Sequence, residues 1–252
     1  MIKAAVMCAR RLWFPLFLVI FASQALPKSK TVKEQMEFNG RKRAYYLFVP
    51  EMLDPSKPAS LLIALHGARA YGKTVIVEWE AMAIKKGFIL VAPNALDIWF
   101  LPPDSPNFLY ALVESIKSRF NIDSRRVYLF GHSAGGIHAA VTAVLEPEYF
   151  AAVAVHGGYL PTKVFSQSNS RIPIGFWIGD LDTSIFLDAV RATVNFLKDI
   201  GFPVRITVIE GSDHDYGGIA RLINEDIWSF LGSKALTRDP HWINIDKQLP
   251  HP

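Results

Sequence analysis

The sequence predicts an α/β domain in which helices cover both faces of a mostly parallel sheet. From Arg43 onward, short apolar runs rich in β-branched residues alternate with longer amphipathic runs, a pattern typical of buried parallel strands joined by helices. The chain has 252 residues, of which 50% are hydrophobic, and this is enough for one well-buried core rather than two. We therefore expect a single α/β layer structure.

The predicted strands are short and mostly β-branched, as buried strands tend to be. They are 44–49, 61–65, 88–92, 127–130, 152–155, 174–178 and 204–209. The predicted helices carry apolar residues at intervals of three and four positions. They are 75–86, 108–120, 134–145, 186–200 and 218–230. Gly87 and Gly201 follow two of these helices, where glycine commonly forms the C-terminal cap.

Residues 1–25 are predicted to be a signal peptide, which indicates a secreted or periplasmic protein. An apolar run at 12–21 follows basic residues and precedes small residues at cleavage spacing. An uncleaved membrane anchor is the alternative. The apolar run is well short of the ~20 residues that a spanning helix needs, and Pro15 interrupts it.

Charge and cysteine content bear on partners and on covalent links. The leading segment contains Lys3, Arg10 and Arg11 and no acidic residue, so its removal lowers the excess of basic over acidic residues from +4 to +1. A nearly neutral body gives no reason to expect a nucleic-acid partner. The single cysteine, Cys8, precedes the apolar run, so neither a lipid anchor nor a disulfide is expected.

The strongest chemical signal is the GHSAG pattern at 131–135, which follows the predicted strand 127–130 and opens the predicted helix 134–145. In this context the pattern is typical of a nucleophile elbow, a strained turn that exposes a serine hydroxyl. The two flanking glycines remove side chains that would collide with the strand or the helix. Ser133 is therefore the candidate nucleophile. A glycine-rich turn with an incidental serine is the alternative.

Two backbone groups are candidates for an oxyanion hole. The turn leaves the Ala134 N–H at a helix N-terminus, where unpaired donors and the helix dipole favour a developing negative charge. A second donor is expected from the loop after an earlier strand. His66 and Gly67 directly follow the strand 61–65, so the Ala68 N–H is the candidate, and the His66 side chain is expected to be structural.

The general base of such a site comes late in the chain, and His214 follows the last predicted strand. The remaining late histidines, His241 and His251, lie beyond the last predicted helix. His132 and His138 belong to the elbow and its helix, where we expect packing or surface roles. His214 is therefore the candidate base.

The third member of the site is an acid, for which two aspartates are available. Asp180 and Asp182 both follow the predicted strand 174–178, and either could fix the histidine tautomer and stabilise the imidazolium. The other would be a loop or helix-cap aspartate. The order serine, acid, histidine differs from the orders of trypsin-like and subtilisin-like enzymes.

On these motifs the chain resembles the secreted α/β-hydrolases that include polyhydroxybutyrate depolymerases and feruloyl or acetylxylan esterases. The resemblance extends from about Lys42 to Phe230 and rests on LHG at 65–67, IDSRRVY at 122–128, GHSAGG at 131–136 and GDLD at 179–182. It implies the α/β-hydrolase fold without a large lid domain. We expect a catalytic domain at 26–232 followed by a tail at 233–252.

The resemblance also bears on the acid and on the substrate. These enzymes typically show His-Gly-x-x-Asp at the acid, so Asp182 is preferred to Asp180, although Ile178 replaces the usual histidine. Ala68 stands where many relatives have cysteine, and residues 215–216 stand where they have tryptophan. These departures concern the substrate more than the chemistry.

The implied reaction is hydrolysis of carboxylic esters through an acyl-enzyme, which requires no metal or cofactor. No long insertion follows the strand 152–155 before the acid, so we expect an open cleft suited to polymeric or bulky esters, such as polyhydroxyalkanoate or feruloyl and acetyl polysaccharide esters. A serine peptidase on the same fold and a non-catalytic binding protein are the alternatives.

Four aromatic residues are candidates for substrate contacts. Tyr71, Trp99, Phe100 and Tyr216 lie on loops that should approach the strand ends where this architecture places its site. Each of them could equally pack inside the domain.

Overall fold

The described part of the chain forms one sheet between two layers of helices. The computed structural model describes residues 29–96, 98–99, 104–161 and 170–240. The strands are β1 (Val32–Phe38), β2 (Arg41–Phe48), β3 (Ala59–Leu65), β4 (Phe88–Pro93), β5 (Ile122–His132), β6 (Ala152–His156), β7 (Ile174–Gly179) and β8 (Val204–Ile209). Their order across the sheet is β1-β2-β4-β3-β5-β6-β7-β8. Strand β2 is antiparallel to β1 and β4, and the other neighbouring pairs are parallel.

Each face of the sheet is covered by its own set of helices. The helices are α1 (Gly72–Lys86), α2 (Pro106–Lys117), α3 (Ala134–Leu145), α4 (Leu187–Asp199) and α5 (Tyr216–Gly232). Trp79 of α1 and Ile227 of α5 belong to the apolar cluster on one face. Phe108 of α2, Ala139 of α3 and Val194 of α4 belong to the cluster on the other face. The predicted α/β class, with helices on both faces, is confirmed.

Strand β1 is an element that the sequence analysis did not predict. Its sequence, VKEQMEF, is largely polar and no residue in it is fully buried, so it lacks the apolar pattern that identified the other strands. A two-residue turn joins it to β2, and Asn39 and Gly40 have φ angles of 50° and 70°. Positive φ at both positions is typical of the type I′ hairpin, whose twist matches that of paired antiparallel strands.

The other predicted elements are present, and most differ only at their ends. Helix α3 and strand β8 have the predicted bounds. Strand β5 begins at Ile122 rather than at the predicted residue 127. Most of its first five residues are polar and none is fully buried, so an apolar pattern does not detect them. Gly87 and Gly201 follow α1 and α4 with φ angles of 68° and 87°, the left-handed conformation expected of C-terminal caps.

The connections that carry the predicted site residues leave one end of the sheet. Ser133 follows β5, His66 follows β3, Asp182 follows β7 and His214 follows β8. Carboxyl ends of neighbouring parallel strands lie at the same edge of a sheet, where this architecture places ligands. Residues 1–25, the predicted signal peptide, lie outside the described residues. Among the helices that the structure describes, none is long and apolar enough to span a membrane.

Candidate active site

Ser133 lies in the tight turn between β5 and α3, with φ 54° and ψ −120°. A positive φ is uncommon for a residue with a side chain and persists only where the surroundings hold it. Here both backbone groups of Ser133 are held. Its N–H donates to the His156 carbonyl (2.9 Å), and its carbonyl accepts from the Ile137 N–H (2.9 Å). The strained conformation is therefore fixed by the sheet on one side and the helix on the other.

Close packing of strand and helix explains the glycines on both sides of Ser133. A Cβ atom at Gly131 would lie 2.2 Å from the Gly135 carbonyl oxygen, and one at Gly135 would lie 2.6 Å from the His66 carbonyl oxygen. Both distances are far below a van der Waals contact. Only glycine fits at these two positions. This agrees with the expectation from the sequence that a side chain at either position would collide with the strand or the helix.

The structure brings Ser133, His214 and Asp182 into one line of hydrogen bonds. The Ser133 hydroxyl donates to Nε2 of His214 at 2.8 Å. Nδ1 of the same ring donates to Oδ2 of Asp182 at 2.6 Å. Because Nδ1 carries the proton, Nε2 has a free lone pair directed at the serine. This geometry allows His214 to accept the serine proton.

Asp182 is held rigidly by its own loop. Its side chain is fully buried, and Oδ1 accepts from the N–H groups of Ser184 (2.9 Å) and Ile185 (2.8 Å). Oδ2 is thereby left for the imidazole. Asp180, the other aspartate considered from the sequence, is exposed. The structure thus places Asp182, the preferred acid, at the histidine.

Both predicted oxyanion donors lie beside the elbow. Ala134 is the first residue of α3, where a backbone N–H has no partner within the helix. Ala68 lies in a turn at 67–70 that is closed by a bond from the Ala70 N–H to the Gly67 carbonyl (3.3 Å). A Cβ atom on Gly67 would lie 3.4 Å from Cβ of Ser133. The turn that carries Ala68 therefore packs directly against the serine.

Two further histidines pack behind the site. Nδ1 of His132 lies 3.0 Å from Nδ1 of His156, and the His132 ring centroid is 5.0 Å from that of His214. Burial, together with the nearby His214, lowers the pKa of His132 to about 4. Burial, together with His132 and His214, lowers the pKa of His156 to about 3. Both rings are therefore neutral at neutral pH.

The sequence analysis gave His132 a packing or surface role and did not single out His156. A usable signal existed, since β6 ends at His156 beside the end of β5 in the sheet. His66 is buried and hydrogen-bonded through both ring nitrogens, as expected for a structural side chain.

The predicted substrate contacts separate into exposed and buried side chains. Tyr71 is 64% exposed and follows the turn at 67–70 that carries Ala68, here called the donor turn. Trp99 and Tyr216 are buried. The Trp99 indole N–H donates to the His66 carbonyl (2.8 Å), and the Tyr216 hydroxyl donates to Oδ1 of Asn224 (2.7 Å). Because their polar atoms have internal partners, both side chains pack rather than line a cleft. Phe100 lies outside the described residues.

Comparison with protein families and with characterised proteins identifies relatives. Residues 105–221 match the dienelactone hydrolase family. The chain is 28% identical over 152 residues to a bifunctional acetylxylan esterase/xylanase of Neocallimastix patriciarum, covering 58% of this chain and 22% of that protein. It is 32% identical over 130 residues to feruloyl esterase B of Neurospora crassa, covering 45% and 43%. It is 24% identical over 196 residues to a poly(3-hydroxybutyrate) depolymerase of Ralstonia pickettii, covering 68% and 39%. The chain thus spans less than half the length of these relatives.

Solved structures agree on the fold. A thermostable esterase superposes with a TM-score of 0.66 at 23% identity, covering 81% of this chain and 63% of that one. This likeness shows that the chain has the α/β-hydrolase fold. The partial match to the dienelactone hydrolase family and the similarity to acetylxylan and feruloyl esterases and poly(3-hydroxybutyrate) depolymerases agree with the resemblance that its motifs predicted.

Proposed function

We propose that this chain is a secreted serine esterase in which Ser133 is the nucleophile, His214 the general base and Asp182 the acid that orients it. The observation that carries the proposal is the line of hydrogen bonds from Ser133 through His214 to Asp182, which begins at a strained strand-to-helix turn. The homologous esterases and depolymerases support ester hydrolysis as the reaction.

In the first half of the reaction, Oγ of Ser133 attacks the ester carbonyl carbon while its proton passes to Nε2 of His214. The carbonyl oxygen becomes an oxyanion, which the N–H groups of Ala68 and Ala134 stabilise. When the tetrahedral intermediate collapses, the C–O bond to the alcohol breaks and the alcohol takes the proton from His214. Water then repeats these steps on the acyl-enzyme and releases the acid.

The surroundings of His214 favour its transient positive charge. Asp182 accepts from Nδ1 (2.6 Å), and its carboxylate stabilises the imidazolium. The nearby rings of His132 and His156 have pKa values of about 4 and about 3, so they add no competing positive charge at neutral pH. Both features lower the energy of the transition state rather than that of the bound substrate.

Exposed apolar side chains on the loops that carry the site residues support esters with apolar or aromatic groups. Leu181 precedes Asp182 and is 59% exposed, and Phe186 ends the same loop at the start of α4 and is 67% exposed. Tyr71, which follows the turn at 67–70, is 64% exposed. An aromatic acid or a polyester segment could pack against such side chains. We therefore propose aromatic or polymeric carboxylic esters as the substrate class, with no nucleic-acid partner.

We further propose that this sequence contains a signal peptide at 1–25, a catalytic domain at 26–232 and a tail at 233–252. The basic residues, apolar run and small residues at 1–25 support export. The single sheet that the described strands β1 to β8 form, followed by α5, supports the domain bounds.

The decisive experiment measures hydrolysis of p-nitrophenyl acetate, butyrate and octanoate and of methyl ferulate by the protein and its Ser133→Ala variant. We expect hydrolysis that requires Ser133, together with covalent labelling of Ser133 by a fluorophosphonate. Labelling combined with cleavage of peptides but not esters would show that the protein is a serine peptidase rather than an esterase. The absence of labelling and hydrolysis would support a binding role instead.

A further inference from the structure

The connection that begins at Ala95 and ends before α2 is tied to the turn that carries Ala68. The key contact is made by His66, the first residue after β3. Its Nδ1 donates to the Gly67 carbonyl (2.7 Å), and its Nε2 accepts from the Ala95 N–H (3.1 Å). A carbonyl can only accept and an amide N–H can only donate, so His66 is the neutral tautomer with the proton on Nδ1. Burial lowers the pKa of His66, which is consistent with this state.

The first of these bonds fixes the direction of a neighbouring donor. Gly67 and Ala68 share one peptide unit, in which the carbonyl and the N–H point in opposite directions because the unit is planar and trans. With the Gly67 carbonyl held by the imidazole and by the Ala70 N–H (3.3 Å), the Ala68 N–H is turned away from the His66 ring. The His66 side chain therefore sets the orientation of the proposed oxyanion donor.

Trp99 holds the backbone of the same histidine. Its indole N–H donates to the His66 carbonyl (2.8 Å), and its ring centroid lies 5.0 Å from that of His66. The backbone of Trp99 has a φ of 65°, which is uncommon for an aromatic residue and is maintained only when several contacts enforce it. The ring also stacks on His138, with centroids 5.5 Å apart. Trp99 is thus fixed between α3 and the donor turn.

A buried ion pair fixes the two ends of the connection to the sheet. Arg43 on β2 donates to Asp104 and to the Asn94 carbonyl (3.4 Å), and both side chains of the ion pair are buried. Asp104 also accepts from the Leu96 N–H at 3.1 Å. The guanidinium lies 3.5 Å from the Phe108 ring centroid. The start and the end of the connection are therefore bound to one rigid strand.

We propose that the described residues of this connection brace the oxyanion hole. His66 and Trp99 are positioning residues for the Ala68 N–H, and the Arg43–Asp104 pair anchors them. The brace acts on the transition state rather than on substrate binding, because the oxyanion forms only as Ser133 attacks. The inference rests on the proposed esterase function and assigns Trp99 a role in rate instead of substrate contact.

The test compares Trp99→Phe with Trp177→Phe. Both variants lose a buried indole and one indole N–H bond. The Trp177 indole, however, donates to Oδ2 of Asp226 on α5 (2.8 Å) rather than to the His66 carbonyl. The substrates are an oxygen ester and its thiono analogue, in which sulfur, a weak hydrogen-bond acceptor, replaces the carbonyl oxygen. The ratio of kcat/KM for the two substrates reports the oxyanion hole, because a general loss of structure lowers both rates together.

For Trp99→Phe we expect kcat on the oxygen ester to fall about tenfold with little change in KM, a fraction of the ~10²–10³ lost when one oxyanion donor is removed. The ratio of oxygen ester to thiono ester should fall with it. Trp177→Phe should leave the ratio unchanged even if its melting temperature decreases. An unchanged ratio in Trp99→Phe would overturn the brace.

A second pair of variants tests His66 directly. The amide nitrogen of asparagine can replace Nδ1 as the donor to the Gly67 carbonyl, whereas leucine cannot. We expect His66→Asn to retain more of the wild-type ratio than His66→Leu at equal fraction folded, and equal ratios would contradict the role of His66. If the wild-type protein hydrolyses no ester, or if Ser133→Ala remains active, the proposed function fails. If hydrolysis requires Ser133 but the ratios do not change, only the brace fails.

Discussion

Gly157 leaves the space that the His214 imidazole occupies. A Cβ atom on Gly157 would lie 3.0 Å from both Cε1 and Nδ1 of His214 and 3.4 Å from Oδ2 of Asp182. Gly157 itself has a φ of 53° and donates its N–H to the Trp177 carbonyl (2.9 Å). The backbone after β6 therefore forms one wall of the histidine site, and a side chain on that wall would displace the base.

The variant Gly157→Ala is expected to reduce kcat by about 10²-fold, the loss typical of a displacement of ~1 Å in a reacting group. Its control is Gly201→Ala, because Gly201 has a φ of 87° and no atom within 4 Å of an added Cβ. Both variants should lose stability from left-handed backbone strain. Only Gly157→Ala should lose activity, as measured by ester hydrolysis alongside thermal unfolding. Equal activities in the two variants would contradict this account.

Replacement of Asp182 by asparagine should lower kcat by about 10⁴-fold. The substituted amide keeps much of the geometry but favours the wrong histidine tautomer, because its NH₂ group can donate to Nδ1. Asp180→Asn is the matched control, since Asp180 is exposed two positions away. Steady-state kinetics at pH 8 would measure both variants. A large loss of kcat in Asp180→Asn with a small loss in Asp182→Asn would show that Asp180, not Asp182, is the acid.

Three buried histidines predict a loss of stability in acid. Burial is the main reason that the pKa values of His132 and His138 are lowered to about 4 and that of His156 to about 3, against about 6.5 in an unfolded chain. Between these values the unfolded state binds more protons, so the free energy of unfolding decreases as the pH falls from about 6.5 towards 4. Urea unfolding at several pH values should show this slope.

NMR can show which histidine rings cause the dependence of the free energy of unfolding on pH. The imidazole signals of His132, His138 and His156 should not titrate between pH 8 and pH 5.5, where an exposed histidine titrates. His156→Gln should make the dependence of unfolding on pH shallower by up to one proton. A titration midpoint near pH 6.5 for any of the three would contradict its predicted burial in the neutral form.

The buried ion pair predicts a large effect on stability. Arg43 and Asp104 are 1% and 0% exposed in their side chains, so Asp104→Asn leaves a buried guanidinium without its counter-charge. We expect a loss of about 3–5 kcal/mol in the free energy of unfolding. Arg191→Ala, which removes a pair whose side chains are 58% and 93% exposed, should cause no measurable loss. Urea unfolding of both variants checks the contrast, and similar losses would contradict it.

The sequence predicted the elements in which one physical signal dominates. Helix α3 and strand β8 have their predicted bounds because apolar periodicity and flanking turn residues coincide there. The GHSAG pattern located Ser133 because a strained elbow tolerates few sequences. Strand β1 was missed because its polar residues are stabilised by pairing with β2, which is a tertiary contact without a local pattern.

The roles of the aromatic loop residues could not be predicted for a similar reason. Trp99 and Tyr216 are buried, and their polar atoms bond to His66 and Asn224. His66 is 33 residues from Trp99 along the chain, so this partner leaves no local pattern in the sequence. The choice between Asp180 and Asp182 depended on family resemblance, since spacing along the chain allows both. The bonds from Ser184 and Ile185 that orient Asp182 are visible only in the folded loop.

The position of β8 at the edge of the sheet makes the segment that carries His214 the part of the site expected to open first. His214 follows this strand, which lies at one edge of the sheet, pairs with β7 alone among the described strands and has no fully buried residue. Ser133 follows β5, which lies between β3 and β6 near the middle of the sheet. Peripheral elements open at lower free energy than central ones. On warming, the base should therefore separate from the nucleophile while the interior remains intact, so that the protein undergoes a reversible inactivation at temperatures below its cooperative melting.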